Sequence, residues 1–398
     1  MSESLSRIAI VGAGIAGLTT ALALLQRGFD VDVFEQSEIL NEVGAGLQLS
    51  PNGVKVLMEL GLSDQVAAIA CAAAGKEVRL WNTGQTWKLF DLGQDSIDRF
   101  GAPYWTVHRG DLHRVLLDAC RERAASRLHT GRRCIGVTQH DGGVDLHFAS
   151  GVARYAAVVA ADGVHSQVRQ ALFGAEQASF TGLIAWRSTI PIAELPAELQ
   201  RPVGVNWVGP GAHVITYPLR RGELLNFVGI VEKQTWSVES WTSHGTREDC
   251  ARDFRGWHPL VQILTGAVEA PLQWALLSRP PLERYAVGNV CLIGDAAHPT
   301  LPFLAQGAVM ALEDSLLLAR CLEKCRAPQD AFRRFEELRL QRTAAIVRGS
   351  SENAKRFHHP ELADQTRAAA YVDREWQPDL VRRRYDWLFD YDPRTIEI

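Results

Sequence analysis

The chain has 398 residues, 46% of them apolar, enough to bury a sizeable core, and it carries 42 basic against 46 acidic side chains for a net charge of −4. That balance leaves no basic footprint for nucleic acid, and no run of about 18 consecutive apolar residues supplies a membrane span. A cytoplasmic protein with neither partner is expected, and its seven cysteines, scattered without a CxxC pair, point to reduced thiols and no metal site.

In chain order, Arg7 to Val11 reads as a short buried strand, Leu18 to Gln26 as a helix that is apolar on most faces, and Val31 to Glu35 as the next strand of a parallel βαβ unit. At the first joint stands GAGIAG, with Gly12, Gly14, Ala16 and Gly17. Glycines so placed turn the chain tightly, let the backbone approach a pyrophosphate, and pack helix on strand, while the helix N-terminus offers free N–H groups and a positive dipole end. Glu35 lies 21 residues after Gly14, where an acid accepts hydrogen bonds from a ribose 2′-OH, and Gln36 follows it. Strand, helix, second strand and acid in register favour a dinucleotide site over a structural glycine turn.

Further on, the segment 186 to 274 holds Trp186, Trp207, Trp236, Trp241, Trp257 and Trp274, whereas residues 1 to 80 hold none. Its runs AHVITYPL and LLNFVGIV, split by a turn at Arg220 to Glu223, predict a hairpin within an aromatic-rich sheet inserted between nucleotide-binding pieces. Before it, VVAADGVHSQVRQALF (158 to 173) reads as a strand entering Asp162 and Gly163, then a capped helix. After it, VCLIGDAAHPTLPFLAQGAVMALEDSLLLARCL (290 to 322) reads as a strand ending at Gly294, with Asp295 at its carboxyl end. A loop through His298 and Pro299 then leads to a helix starting near Gln306, Gly307 and Ala308. An Asp at such a strand end suits a polyol hydroxyl.

The order and spacing of GAGIAG, DGVHSQVR and GDAAHP, together with HRGDLHRVLLDAC from His108, resemble the class A flavoprotein monooxygenases, the aromatic hydroxylases of the para-hydroxybenzoate hydroxylase type, over about 7 to 392. The resemblance implies an α/β chain: a Rossmann-like FAD-binding domain with an inserted mixed β-sheet substrate domain and a C-terminal helical region. FAD-binding parts are expected at 1–75, 101–175 and 276–365, a substrate excursion at 76–100, the substrate sheet at 176–275, and a C-terminal helix and tail at 366–398. It also implies FAD contacts from Gly12, Gly14, Ala16, Gly17, Glu35, Gln36, Gln48, Arg109, Asp162, Asp295, Pro299, Gln306, Gly307 and Ala308. The chain has one GxGxxG, which this family devotes to FAD, and the resemblance implies that NAD(P)H docks transiently as cosubstrate. It implies too that reduced FAD and O2 give a C4a-hydroperoxide that an electron-rich phenol attacks.

WVGPGAHVITYPLRRG is similar to the salicylate and 3-hydroxybenzoate hydroxylase branch, where a His and a Tyr, here His213 and Tyr217, contact the substrate, with Gln306 opposite at the flavin edge. Alternation puts His213, Ile215 and Tyr217 on one strand face. His213 is the candidate base, and Tyr217 and Gln306 the candidate orienting groups. Related 6-hydroxynicotinate monooxygenases carry a His base where Gln48 stands, which argues against a pyridine substrate. Arg187, Arg220 and Arg221 leave the partner of a substrate carboxylate unassigned. The tail RRRYDWLFDYDPRTIEI either caps the domain or supports a dimer, so monomer and homodimer stay open. A hydroxylase of a bulkier heteroaromatic, and a flavin reductase or binding protein on the same scaffold, are the alternatives.

Overall fold

The computed structural model describes residues 7–40, 45–124, 127–176, 178–234 and 245–398; Trp236 and Trp241 lie outside them. One sheet runs in the order Ala286–Val287, Val290–Leu292, Ala157–Ala160, Arg7–Val11, Asp30–Phe34, Leu128–His129. From Val290–Leu292 onward every neighbouring pair is parallel. Ile8, Val31, Val158 and Val290 are all buried there, because helices or a second sheet cover both faces. The helix Ile15–Gln26 begins at the glycine turn, three residues earlier than the apolar pattern suggested, and packs between Arg109–Ala124 and Gly307–Lys324. An antiparallel meander, Cys134–His140, Gly143–Phe148 and Gly151–Tyr155, lies beside this sheet.

A second sheet has seven strands in the order Leu272–Ser278, Ser179–Pro191, Leu224–Glu232, Ala212–Leu219, Val203–Gly209, Gly75–Leu80, Thr86–Asp91. All its pairings are antiparallel except that between Val203–Gly209 and Gly75–Leu80. The expected hairpin is its centre, turned through Arg220 and Arg221 at φ 49° and 56°. That left-handed backbone is strained for a side-chain-bearing residue, and a fork of two hydrogen bonds from Arg220 to Asp111, 2.8 and 3.0 Å, anchors the turn.

One face of this sheet packs Trp186, Trp207 and Phe227 onto Phe254 and Trp257, next to the helices Arg247–Asp253 and Pro259–Ala267. The other face looks toward the nucleotide half. Its register sets Val78, Asn206, Ile215 and Val228 in one row across four strands, and Leu80, Val208, His213 and Ile230 in the next. The helices Pro328–Phe357, Arg367–Glu375 and Pro378–Phe389 complete the wall around that face. Phe389 lies against Phe90, Phe100 and Tyr104, and the Lys55 ammonium donates to the Asp390 carbonyl at 3.1 Å, so the tail caps the junction of the two halves. Among the described residues no helix is long and apolar enough to cross a membrane.

Candidate active site

At the carboxyl ends of the parallel strands a groove of about 360 Å³ is lined by Gly12, Gly14, Glu35, Gln36, Arg109 and Asp162. Gly12 sits at φ +102°, and a Cβ there would stand 2.4 Å from the Ala161 carbonyl; at Gly17 it would stand 1.8 Å from the Gly12 carbonyl. No larger residue fits either place. Glu35 accepts from the Ala13 and Ser37 amides, both at 2.9 Å, which ties the glycine loop to the end of the second strand and leaves lone pairs for a ribose. Ala16 stands back from the groove: its carbonyl accepts from Thr20 and Ser315. Asp162 accepts from the Gln167 amide at 2.9 Å and the Ser166 hydroxyl at 2.5 Å, so it braces Ser166, which caps the helix Gln167–Phe173 through the Arg169 amide. Buried Arg169 on that helix donates to the Ala296 and Ala297 carbonyls at 3.2 Å, welding the two Asp-containing motifs together.

Asp295 projects into open space, and among the described residues its carboxylate has no hydrogen-bond partner; surrounding protein raises its pKa, with His298 and Arg109 opposing. Free acceptors at that strand end, a glycine cradle and an acid at the ribose position fit an adenine dinucleotide with a polyol chain. Pro299 lies on the outer side of this loop, in a cleft with Arg279 and Arg348. Gly307 and Ala308 open the 18-residue helix Gly307–Lys324, whose first amides have no intrahelical partner and whose dipole favours negative charge on a ring placed before it.

Gln306 precedes that helix, buried, with its amide occupied on both sides: it donates to Ser50 Oγ at 2.9 Å and accepts from Asn52 at 3.0 Å. Asn52 also donates to Glu313 at 2.6 Å. Glu313 and Asp314 both pair with Arg339 at 2.7 Å, and all three are fully buried. Burial alone would raise the Asp314 carboxyl, but His298 at 2.6 Å and Arg339 hold it down at about 2. His298 therefore braces its loop on this cluster, and no group of His, Cys, Asp and Glu among the described residues could hold a metal ion.

Across from the helix start lies a narrow cavity lined by Gln48, Lys76, Asn206, Ile215 and Tyr217, with Phe90, Phe303, Phe357 and Tyr385 as aromatic walls. Gln48, expected at the cofactor, lines this cavity and accepts from the Tyr104 hydroxyl at 2.8 Å. Burial, eased by Arg187 and the Gln48 amide, pushes the Tyr217 hydroxyl up to about 12, so it stays a neutral donor.

His213 shares the face of Ile215 and Tyr217 and is wholly buried against Phe303 and Phe357, two of the cavity walls. Its Nδ1 lies 2.6 Å from His358 Nε2, and His358 Nδ1 lies 3.0 Å from Glu232 Oε1, a carboxylate 58% exposed at the surface. The carboxylate can only accept, so His358 carries its proton on Nδ1 and leaves Nε2 bare. His213 must then donate from Nδ1, and its own Nε2, which has no protein partner, carries a lone pair. Burial, then His358, lowers the His213 pKa well below the ordinary histidine value.

The structure thus brings His213 and Tyr217 to one face, and sets Gln306 at the start of the helix Gly307–Lys324. Lys76, Tyr104, Asn206, His358 and Glu232 went unread in the sequence. Alternation in GKEVRL carried a signal for Lys76, whereas His358 is a helix-end residue with none.

The FAD binding domain family model matches residues 6–350. A 3-amino-4-hydroxybenzoate 2-monooxygenase of Streptomyces platensis is 38% identical over 397 residues, covering 98% of this chain and 97% of its own length. A 6-hydroxynicotinate 3-monooxygenase of Pseudomonas fluorescens is 36% identical, covering 89% and 92%. A salicylate hydroxylase solved with its substrate superposes with a TM-score of 0.83 at 25% identity, covering 99% and 97%. With its glycine cradle, its free Asp295 and these relatives, the chain belongs to the FAD-binding-domain family of flavoprotein aromatic-ring monooxygenases.

Proposed function

We propose that this enzyme hydroxylates a phenolic aromatic acid of the hydroxybenzoate class, with NAD(P)H and O2 as cosubstrates and His213 as the base that takes the phenolic proton. The observation that carries this reading is the His213–His358–Glu232 chain, which fixes the tautomer that leaves His213 Nε2 as an acceptor beside the cavity. FAD, held by Gly12, Gly14, Glu35, Asp295 and the amides at Gly307 and Ala308, supplies the activated oxygen. The protein's share is to place the ring, exclude water and raise the electron density of the ring by drawing off its proton.

As the phenolic O–H bond breaks, its proton goes to His213 Nε2. His213 passes its Nδ1 proton to His358 Nε2, and His358 passes its own Nδ1 proton to Glu232 at the surface. Each imidazole gains one proton on Nε2 and gives one from Nδ1, so neither ring is left charged in the apolar wall. Tyr217 and Gln48 orient the ring, and Gln306 keeps the helix start and its loop in register with Ser50 and Asn52.

The same reading divides the chain into FAD-binding parts 1–75, 101–175 and 276–365 around a substrate part, and places a monomer or homodimer in the cytoplasm. The neutral Gln48 favours a benzoate over a pyridine. NAD(P)H oxidation by the FAD-loaded enzyme, measured with salicylate, 3-hydroxybenzoate, 3-amino-4-hydroxybenzoate and 6-hydroxynicotinate and with products identified, tests it. Stimulation and hydroxylation with one of the benzoates are expected; stimulation by 6-hydroxynicotinate alone, or by none, overturns the reading.

A further inference from the structure

The geometry points to Lys76 as the anion-binding group of the cavity, the residue that receives the carboxylate of an aromatic acid whose phenolic end lies toward His213. This deepens the function proposed above and rests on it. Lys76 stands on the strand Gly75–Leu80, whose alternation sends Val78 and Leu80 into the apolar core of the cavity side. Glu77 and Arg79 point the other way, where Glu77 meets Arg79 at 2.9 Å and Arg201 at 2.6 Å. The nearest acid in sequence is therefore already paired on the opposite face. Among the described residues no carboxylate forms an ion pair with Lys76.

The lysine stem has a place made for it. Gly204 is its register partner on the next strand, and a Cβ there would come within 3.3 Å of Lys76 Cγ and 3.8 Å of Cε. Lys76 lines the cavity, and its ammonium ends 5.0 Å from the centre of the Tyr104 ring, whose hydroxyl meets the cavity residue Gln48. Burial pushes it down to about 7, and no charged neighbour opposes the shift. One row further, Asn206 Oδ1 is buried without a hydrogen-bond partner and lines the same cavity, an acceptor for a hydroxyl or amino group on the ring.

Lys76 and His213 stand on the same face of the sheet about 16 Å apart at Cα, by the rise and spacing of strands. Of the other cations near this face, Arg220 is forked onto Asp111, and Arg187 lies over the Trp274 ring at 5.0 Å at the Tyr217 side, on a strand separated from that of Asn206 by two others. A lysine that merely covers apolar surface with its stem, its head in water, would be indifferent to the ligand's charge.

Calorimetric titration of the FAD-loaded protein with 3-amino-4-hydroxybenzoate and with its neutral carboxamide separates the two roles. At pH 6.5 the wild type is expected to bind the acid about tenfold or more tightly than the amide, Lys76→Arg to keep a preference, and Lys76→Met to lose it. Flavin absorbance reports whether each variant is folded. In the wild type the preference should fall about tenfold per pH unit above 7, because the ammonium form is required and is lost there, until the higher pKa of the complex is reached. The hydroxyls of Tyr104, Tyr217 and Tyr385 are all raised, and His213 and His358 lowered, so these neighbours stay neutral across that range. No preference for the acid in the wild type, or a preference unchanged by Lys76→Met, overturns the assignment. Loss of ring-dependent NAD(P)H oxidation in the wild type with every benzoate would instead overturn the function on which it rests.

Discussion

Behind the helix Gly307–Lys324, Glu313, Asp314 and Arg339 are as deeply buried as His213 is across the cavity, yet the two sets of polar groups end differently. Every charged atom of the first set meets a partner, from Asn52, Gly294 and His298 to the Met310 carbonyl, and only His298 Nδ1 is left over. The second set stops short: His213 Nε2 and Asn206 Oδ1 have no partner, and Lys76 has no counterion among the described residues. A closed polar network specifies a shape, whereas an open one leaves its desolvation cost to be relieved by whatever binds. The first group therefore keeps the helix Gly307–Lys324 in place, and the second has the open valences that the proposed recognition and deprotonation of the ring require.

The sharpest way to break the comparison is to open the closed network. Arg339→Met removes the guanidinium shared by two buried carboxylates, leaving Glu313 to Arg342 and Asn52 and Asp314 to His298, and should cost about 3 kcal/mol, read as a lower denaturant midpoint with flavin release. A loss below about 1 kcal/mol would mean the cluster relaxes or admits water. Next, His213→Gln should lower hydroxylation by about 100-fold or more while FAD stays bound, the effect of losing a general base rather than a support. An unchanged single-turnover rate would remove His213 from the chemistry. Asp295→Ala should weaken FAD binding by about tenfold or more, through loss of a charge-assisted acceptor, and flavin titration of the apoprotein would show it. An affinity equal to that of the wild type would place the ribitol elsewhere.

The smallest effect concerns pH. His213 and His358 are both lowered by burial, so below about 6.5 the unfolded chain takes up protons that the folded one refuses, and stability falls as pH falls through that value. Asp314, held near 2, works on a separate window: its contribution is complete above about 4 and disappears only as pH drops toward 2. Thermal melts between pH 5 and 7 should therefore slope in the wild type and slope less steeply in His213→Gln, where His358 remains as a lowered histidine. A slope undiminished by the substitution would assign it to other groups.

The two regions also differ in how far the sequence revealed them. Nucleotide recognition is written in backbone constraints that are local along the chain: a glycine that no other residue can replace, an acid at the end of the second strand, a helix that starts where the loop ends. Such features keep their spacing, and the strand, the turn and the helix start at Gly307 lie at or near their expected places. The cavity is assembled from residues at 48, 76, 104, 206, 217, 303 and 385, set side by side only by strand register and helix packing. No local pattern marks His358, since a helix end is an ordinary place for a histidine. Gln306 shows the converse: its position was legible, but the direction of its amide depends on Ser50 and Asn52, more than two hundred residues away in the chain.

The one parallel pairing in the seven-stranded sheet bears on how the molecule is made. Lys76 and Gly204 are register partners separated by 128 residues, so the strand Gly75–Leu80 leaves the ribosome long before the strand it must join. Until then only its hairpin mate Thr86–Asp91 covers it, with Lys88 and Asp91 paired on an outer edge that discourages pairing with other chains. Synthesis that stops short of residue 209 would expose the inner edge of that hairpin, and a fragment ending there is bound for aggregation rather than for a half-built enzyme.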